Sequence, residues 1–127
     1  MKKALIAPIT VLIVILGFAL WNSGTMNKNT ARWRYQLQQA DFLAQAENSS
    51  AAETALEHSY HDWCSHQTYL HIVSEHDAVD DAEAMYLRAI AFAATQEPSE
   101  LRAEIADLQA QLRLLAEMEH FSIKNIL

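Results

Sequence analysis

The sequence reads as all-α: an N-terminal transmembrane helix followed by an antiparallel, left-handed bundle of four helices, or of three if the first runs on from the anchor. Three observations point there. Residues 4–21, ALIAPITVLIVILGFALW, carry no charge. After Gly24 the chain has no glycine, and Pro98 is its only proline, while Ala, Leu, Glu and Gln, all good helix formers, dominate. Along most of the remainder apolar residues recur at alternating spacings of four and three, the rhythm of a helix face laid against a neighbour.

The uncharged run comes first. At a rise of about 1.5 Å per residue it spans roughly 27 Å, enough to cross a bilayer core. Lys2 and Lys3 precede it, and Trp21 closes it where amphipathic rings prefer the headgroup level. A cleaved signal peptide shares the basic start and apolar core but ends in a small-x-small site. Here Leu20 and Trp21 spoil that register, so the run is read as an uncleaved anchor. No ionisable side chain lies inside it, so nothing marks a pore or a proton relay.

Residues 1–24 thus form a transmembrane anchor with a short cytoplasmic N-terminus, and residues 25–127 an extracytoplasmic acidic helical domain at the cytoplasmic membrane. Lys2 and Lys3 favour that orientation, although Lys28, Arg32 and Arg34 on the far side weaken the asymmetry that sets topology.

Asn22-Ser23-Gly24, Asn48-Ser49-Ser50, the stretch from Ser74 to Asp77 and that from Gln96 to Ser99 punctuate the domain into four helices. The first, about 27–47, sets Trp33, Leu37, Ala40 and Ala44 on one face, with Tyr35 and Phe42 on a second stripe. Ser50 and Glu53 have capping-box spacing and start the second. Its seam is Ala52, Leu56, Ser59, Trp63, His66, Leu70 and Val73. The third starts near Asp77, with Asp77, Asp80 and Asp81 complementing its N-terminal partial positive charge. Ala78, Ala82, Met85, Ala89 and Phe92 form its seam, the small alanines admitting a bulky neighbour such as Trp63. Pro98 opens the fourth, running to about Ile126 with Leu101, Ile105, Leu108, Leu112, Leu115, Ser122 and Ile126 in register and Glu119 interrupting.

Charge narrows the partners. From Thr25 onward there are seven basic residues against sixteen acidic ones, a balance of −9, and no Lys or Arg falls between Tyr35 and Leu87. Nucleic acid is not expected as a partner, because phosphate binding needs a basic surface. Cys64 is the only cysteine, so no intramolecular disulfide, CxxC couple or cysteine-rich zinc site can be built.

Several of these residues also resemble a known family. Trp63, the stretch from Tyr69-Leu70 to Glu75-His76-Asp77, the alanine-rich third helix, and the tail with Leu112, Leu115, Glu117, Glu119, Ser122 and Asn125-Ile126-Leu127 are similar to an uncharacterised family of short Gram-positive membrane proteins, a domain of unknown function (DUF4363). The resemblance implies an anchored helical domain and carries over no catalytic residue.

Candidate chemistry centres on the second helix. His58, Asp62 and His66 recur at i, i+4 and i+8, a spacing at which imidazole and carboxylate can hold zinc or copper, with His61 nearby; the same histidines also fit surface and seam positions. His71 with Glu75 is a further pair. Glu75-His76-Asp77 with Asp80 and Asp81 forms an acidic turn around a histidine, read as helix capping or as a pH-responsive element. It lacks the spaced ligands and glycine of an EF-hand.

The chain has no Gly-rich phosphate loop, GxSxG elbow or HExxH pair, so an enzyme is not expected, nor is a cofactor. The aromatic residues fit core and seam positions better than a ligand cage. The expectation is a noncatalytic envelope protein, bound to lipid through residues 4–21, that contacts another envelope protein or itself. The alternative is an extracytoplasmic metal- or pH-sensing domain using the histidines.

Overall fold

The computed structural model carries the apolar run straight into the bundle, because α1 is one helix, Lys2–Gln45. Backbone is described for residues 2–126 and side chains for residues 4–118. Among these residues the chain is helical without strands: α2 spans Ser49–Ser65, α3 Gln67–Val73, α4 His76–Ala94 and α5 Pro98–Ile126.

The expected break at Asn22-Ser23-Gly24 does not form. A helix-interior glycine costs about 1 kcal/mol relative to alanine, too little to end a helix whose flanks pack. Gly24 has no positive φ, and the buried positions Asn22, Ser23, Met26, Asn29, Thr30 and Trp33 carry the packing rhythm across it. The first bundle helix is therefore continuous with the apolar run, yet it still supplies a full wall of a four-helix bundle.

The walls follow one another in chain order. α1 packs on α2 and α5, and α4 packs on the same two, which closes a ring. Cross-links confirm antiparallel register: Arg32 meets Asp62 and Asp41 meets Arg102, while Arg88 meets Glu104. On the inside, Trp33, Leu37, Ala40 and Ala44 from α1 meet Ala52, Leu56, Trp63 and Leu70, all buried. Ala78, Val79, Ala82, Tyr86, Ala89 and Ala93 complete the core with Leu101, Ile105, Leu108, Leu112 and Leu115. Ser122, Ile126, Glu119 and Phe121 lie outside the residues whose side chains are described.

Two buried rings, Trp63 and Tyr86, sit 5.6 Å apart between α2 and α4, so the alanines do face bulky partners. Tyr35 and Phe42 depart from the expected second stripe: they are 63% and 66% exposed. A single face of α1 satisfies α2 and α5 together, leaving that stripe in solvent.

Both turns at the far end of the bundle use the same device. Glu47, with φ 61°, follows α1, and the Asn48 and Glu47 N–H groups donate to the carbonyls of Leu43 and Ala44. Gln96, with φ 56°, follows α4, and Glu97 and Gln96 donate to Phe92 and Ala93 in the same way. These are Schellman closures, usually built on glycine. Asn48 then caps α2, its side-chain oxygen accepting from the Ala51 N–H at 3.2 Å, in place of the expected Ser50 and Glu53 box.

The second helix does not run unbroken to Val73. At its foot the Asp62 carbonyl accepts the Ser65 hydroxyl at 2.6 Å and lies 2.9 Å from His66 Nδ1, while the His66 N–H turns to Trp63 O. Side chains competing for a helix carbonyl are a known cause of such a break. The short α3 then meets the start of the bundle, where Tyr69 donates to Asn22 and its ring stands edge-on to Trp21 at 6.4 Å.

Candidate functional site

The residues with chemical potential fall at three places, each set by the helix break or by the bundle register. The first lies between α1 and the foot of α2. Arg32 donates from Nε to Asp62 Oδ2 at 2.7 Å and from Nη2 to Oδ1 at 3.0 Å, and Gln36 adds a third bond at 3.1 Å. Nη1 reaches the Asn29 side-chain oxygen at 3.1 Å, which fixes the guanidinium. Burial on its own would raise the Asp62 carboxyl, but the Arg32 and Gln36 hydrogen bonds and the Arg32 charge outweigh it and hold the group below the usual carboxylate range.

Asp62 and His66 come together as their spacing suggests, with His66 Nδ1 3.7 Å from the carboxylate. The His66 ring packs edge-on against buried Trp33 at 5.7 Å. His58, a turn earlier and exposed, lines a groove with Tyr35 instead. The Asp62 carboxylate is thus engaged by Arg32 and Gln36, 30 and 26 positions away in the chain. Nothing in the local spacing on α2 signals either partner, because the pairing depends on the register of α1.

Around the same level the interior holds polar atoms. Ser59 Oγ and Tyr86 Oη lie 2.9 Å apart in the core, and burial raises the Tyr86 phenol well above its ordinary value. Tyr60 donates to Glu83 at 3.1 Å. Its phenol is also pushed up, first by burial and then by Cys64 and Glu83.

The second place is the turn between α3 and α4. His71 lies in the last turn of α3, and His76 and Asp80 stand one turn apart at the start of α4. The two Nδ1 atoms are 3.0 Å apart, the ring centroids 4.7 Å, and the rings are tilted by 43°. Potential ligand atoms of His71, His76 and Asp80 all fall within 4.8 Å of one another. The sequence pairs His71 with Glu75 at helical spacing. A five-residue separation is visible only once the chain turns at Ser74, the very polar stretch that marks the helix boundary.

The third place is the outer groove between α1 and α2, about 390 Å³, lined by Tyr35, Gln36, Ala51, Thr54, Ala55 and His58. Tyr35 stands exposed at its edge, and Phe42 continues the stripe seven residues further along α1.

The model of a family described as a domain of unknown function (DUF4363) matches residues 20–126. That match begins at the end of the apolar run and covers the whole bundle. No curated protein and no solved structure matches the chain.

Proposed function

The chain belongs to the DUF4363 family, and from that premise we propose that it is a noncatalytic, membrane-anchored helical protein that docks another envelope protein on the outer face of α1. Residues 4–21 are the anchor, the N-terminus is cytoplasmic and the acidic bundle is extracytoplasmic. The observation that carries the docking is the stripe of Tyr35 and Phe42, 63% and 66% exposed beside an open interhelical groove. Large aromatics in solvent next to a groove are the features that an amphipathic helix recognises.

Retention of the anchor is supported by the buried Asn22 and by Trp21, both of which meet Tyr69 of α3. Cleavage in the usual position, near the end of the apolar run, would cut into these contacts. The segment starting at Ala4 has a mean hydropathy of 2.6 and none of it is buried against the bundle, as a lipid-facing helix requires.

The experiment is photo-crosslinking in intact cells with a photoreactive residue at position 35 or 42. A discrete adduct to a second protein, lost with Phe42→Ala or Tyr35→Ala, supports the reading. Recovery of this chain alone would make the surface a self-association face, and no adduct at either position would overturn docking there. Protease added outside intact cells is expected to digest the bundle; protection of the bundle would invert the orientation.

A further inference from the structure

We propose that His71, His76 and Asp80 form a binding site for a divalent transition-metal ion of the zinc class, a site independent of the docking surface on α1. Two imidazoles and a carboxylate are a ligand set that suits Zn²⁺, Cu²⁺ or Ni²⁺. The geometry of the two nitrogens is what distinguishes this cluster from the other histidines. One ion bonded to both at about 2.0–2.1 Å holds cis ligand nitrogens about 2.9–3.4 Å apart, from octahedral to tetrahedral angles. His71 Nδ1 and His76 Nδ1 are 3.0 Å apart.

Without an ion, one of these nitrogens carries the proton and donates a hydrogen bond to the other, since two imidazole lone pairs facing each other repel. Metal binding then needs the donor ring to move its proton from Nδ1 to Nε2 and both rings to turn until their Nδ1 lone pairs converge on the ion. Asp80, one helical turn beyond His76 and exposed, supplies the third ligand, its potential ligand atom within 4.8 Å of both histidines. Water completes the shell, as the exposure of His76 and Asp80 allows.

Electrostatics at the turn contains opposing terms. The N-terminus of α4 carries a partial positive charge that works against a cation. Glu75, Asp77, Asp80 and Asp81 lie at the same boundary, and their carboxylates favour one. An ion there ties the last turn of α3 to the first of α4. It thereby fixes the segment that carries Tyr69 against Asn22, at the junction of the bundle with the apolar helix.

The test is calorimetric titration of the full-length chain in lipid nanodiscs with Zn²⁺, in parallel with Cu²⁺ and electron paramagnetic resonance to count nitrogen ligands. Saturable binding of one ion per chain is expected, with two imidazole nitrogens in the Cu²⁺ spectrum. His71→Ala and His76→Ala should each weaken it by at least about tenfold, in line with losses seen on perturbing metal sites. His58→Ala should leave it unchanged. All three side chains lie at the surface or half-buried, and circular dichroism verifies that each variant keeps its helices. Absence of saturable binding would overturn the proposal, as would binding that survives the double variant His71→Ala/His76→Ala or is abolished by His58→Ala.

Discussion

Arg32 of α1 and Asp62 of α2 are joined by two hydrogen bonds of 2.7 and 3.0 Å, a fork that spans the interface of the first two bundle helices. The paired geometry makes it stronger than an ordinary surface ion pair, while the 38% and 21% exposure of the two side chains moderates it. Arg32→Ala or Asp62→Asn should each cost about 1–2 kcal/mol at neutral pH, and the double variant little more than either one. Chemical denaturation of the full chain in mild detergent measures this.

The same pair gives the bundle an acid limb. The folded Asp62 carboxyl is held below its unfolded value, about 3.9 for an ordinary aspartate, so its contribution is complete well above that pH. It is lost as pH falls through the folded value. Stability measured from pH 7 down to pH 2 should therefore decline less steeply in Asp62→Asn than in the natural chain.

Between α2 and α4, Ser59 and Tyr86 form a buried polar pair whose value lies in its completeness. Both residues are fully buried and their hydroxyls are 2.9 Å apart. Ser59→Ala leaves the Tyr86 hydroxyl without this partner and should cost about 1–2 kcal/mol. Tyr86→Phe strands Ser59 in turn. Because the double variant removes both polar groups, its cost should fall below the sum of the two, which a double-mutant cycle reads directly.

What the sequence made legible was whatever depended on one helix at a time. α5 begins at Pro98 as expected, and its buried leucines and Ile105 follow the spacing of four and three. The interior of α2 obeys the same rule from Ala52 through Trp63. Features that need two helices, or a departure from helical spacing, were hidden. Arg32 and Asp62 are 30 positions apart, and only the α1–α2 register brings them together. His71 and His76 meet across a turn, at a separation that places no two residues on one helix face. The break at His66 arises from side chains bonding the Asp62 carbonyl, in a run whose apolar rhythm continues to Leu70. Aromatic residues at helical spacing usually form a packing stripe, yet Tyr35 and Phe42 stay exposed because α1 meets α2 and α5 through a different face.

The two Schellman turns hold a reserve of stability. Glu47 and Gln96 occupy left-handed backbone at φ 61° and 56°, where a side chain carries a steric cost that glycine avoids. Both are exposed, and neither closure relies on the side chain, since the bonds run between backbone groups. Glu47→Gly and Gln96→Gly should each raise stability by about 0.5–1 kcal/mol despite glycine's greater freedom in the unfolded chain. Thermal melts of the single and double variants check this.

Gly24 tests whether the apolar helix and the bundle are one rigid element. It is exposed, lacks a positive φ, and an added Cβ would meet nothing within 4 Å. In a continuous helix, Gly24→Ala should therefore stabilise by about 0.5–1 kcal/mol, through propensity alone. Gly24→Pro has the opposite expectation, since it removes a backbone hydrogen bond and forces its ring against the preceding turn, at about 3 kcal/mol or more. The cost should also appear at Asn22 and Tyr69, two residues upstream on α1 and on the α3 that packs there, as loss of amide protection in hydrogen exchange. If proline were accepted at position 24 with unchanged melting and exchange, the junction would be a hinge, and the ordering of α3 by Asn22 would not depend on the apolar helix.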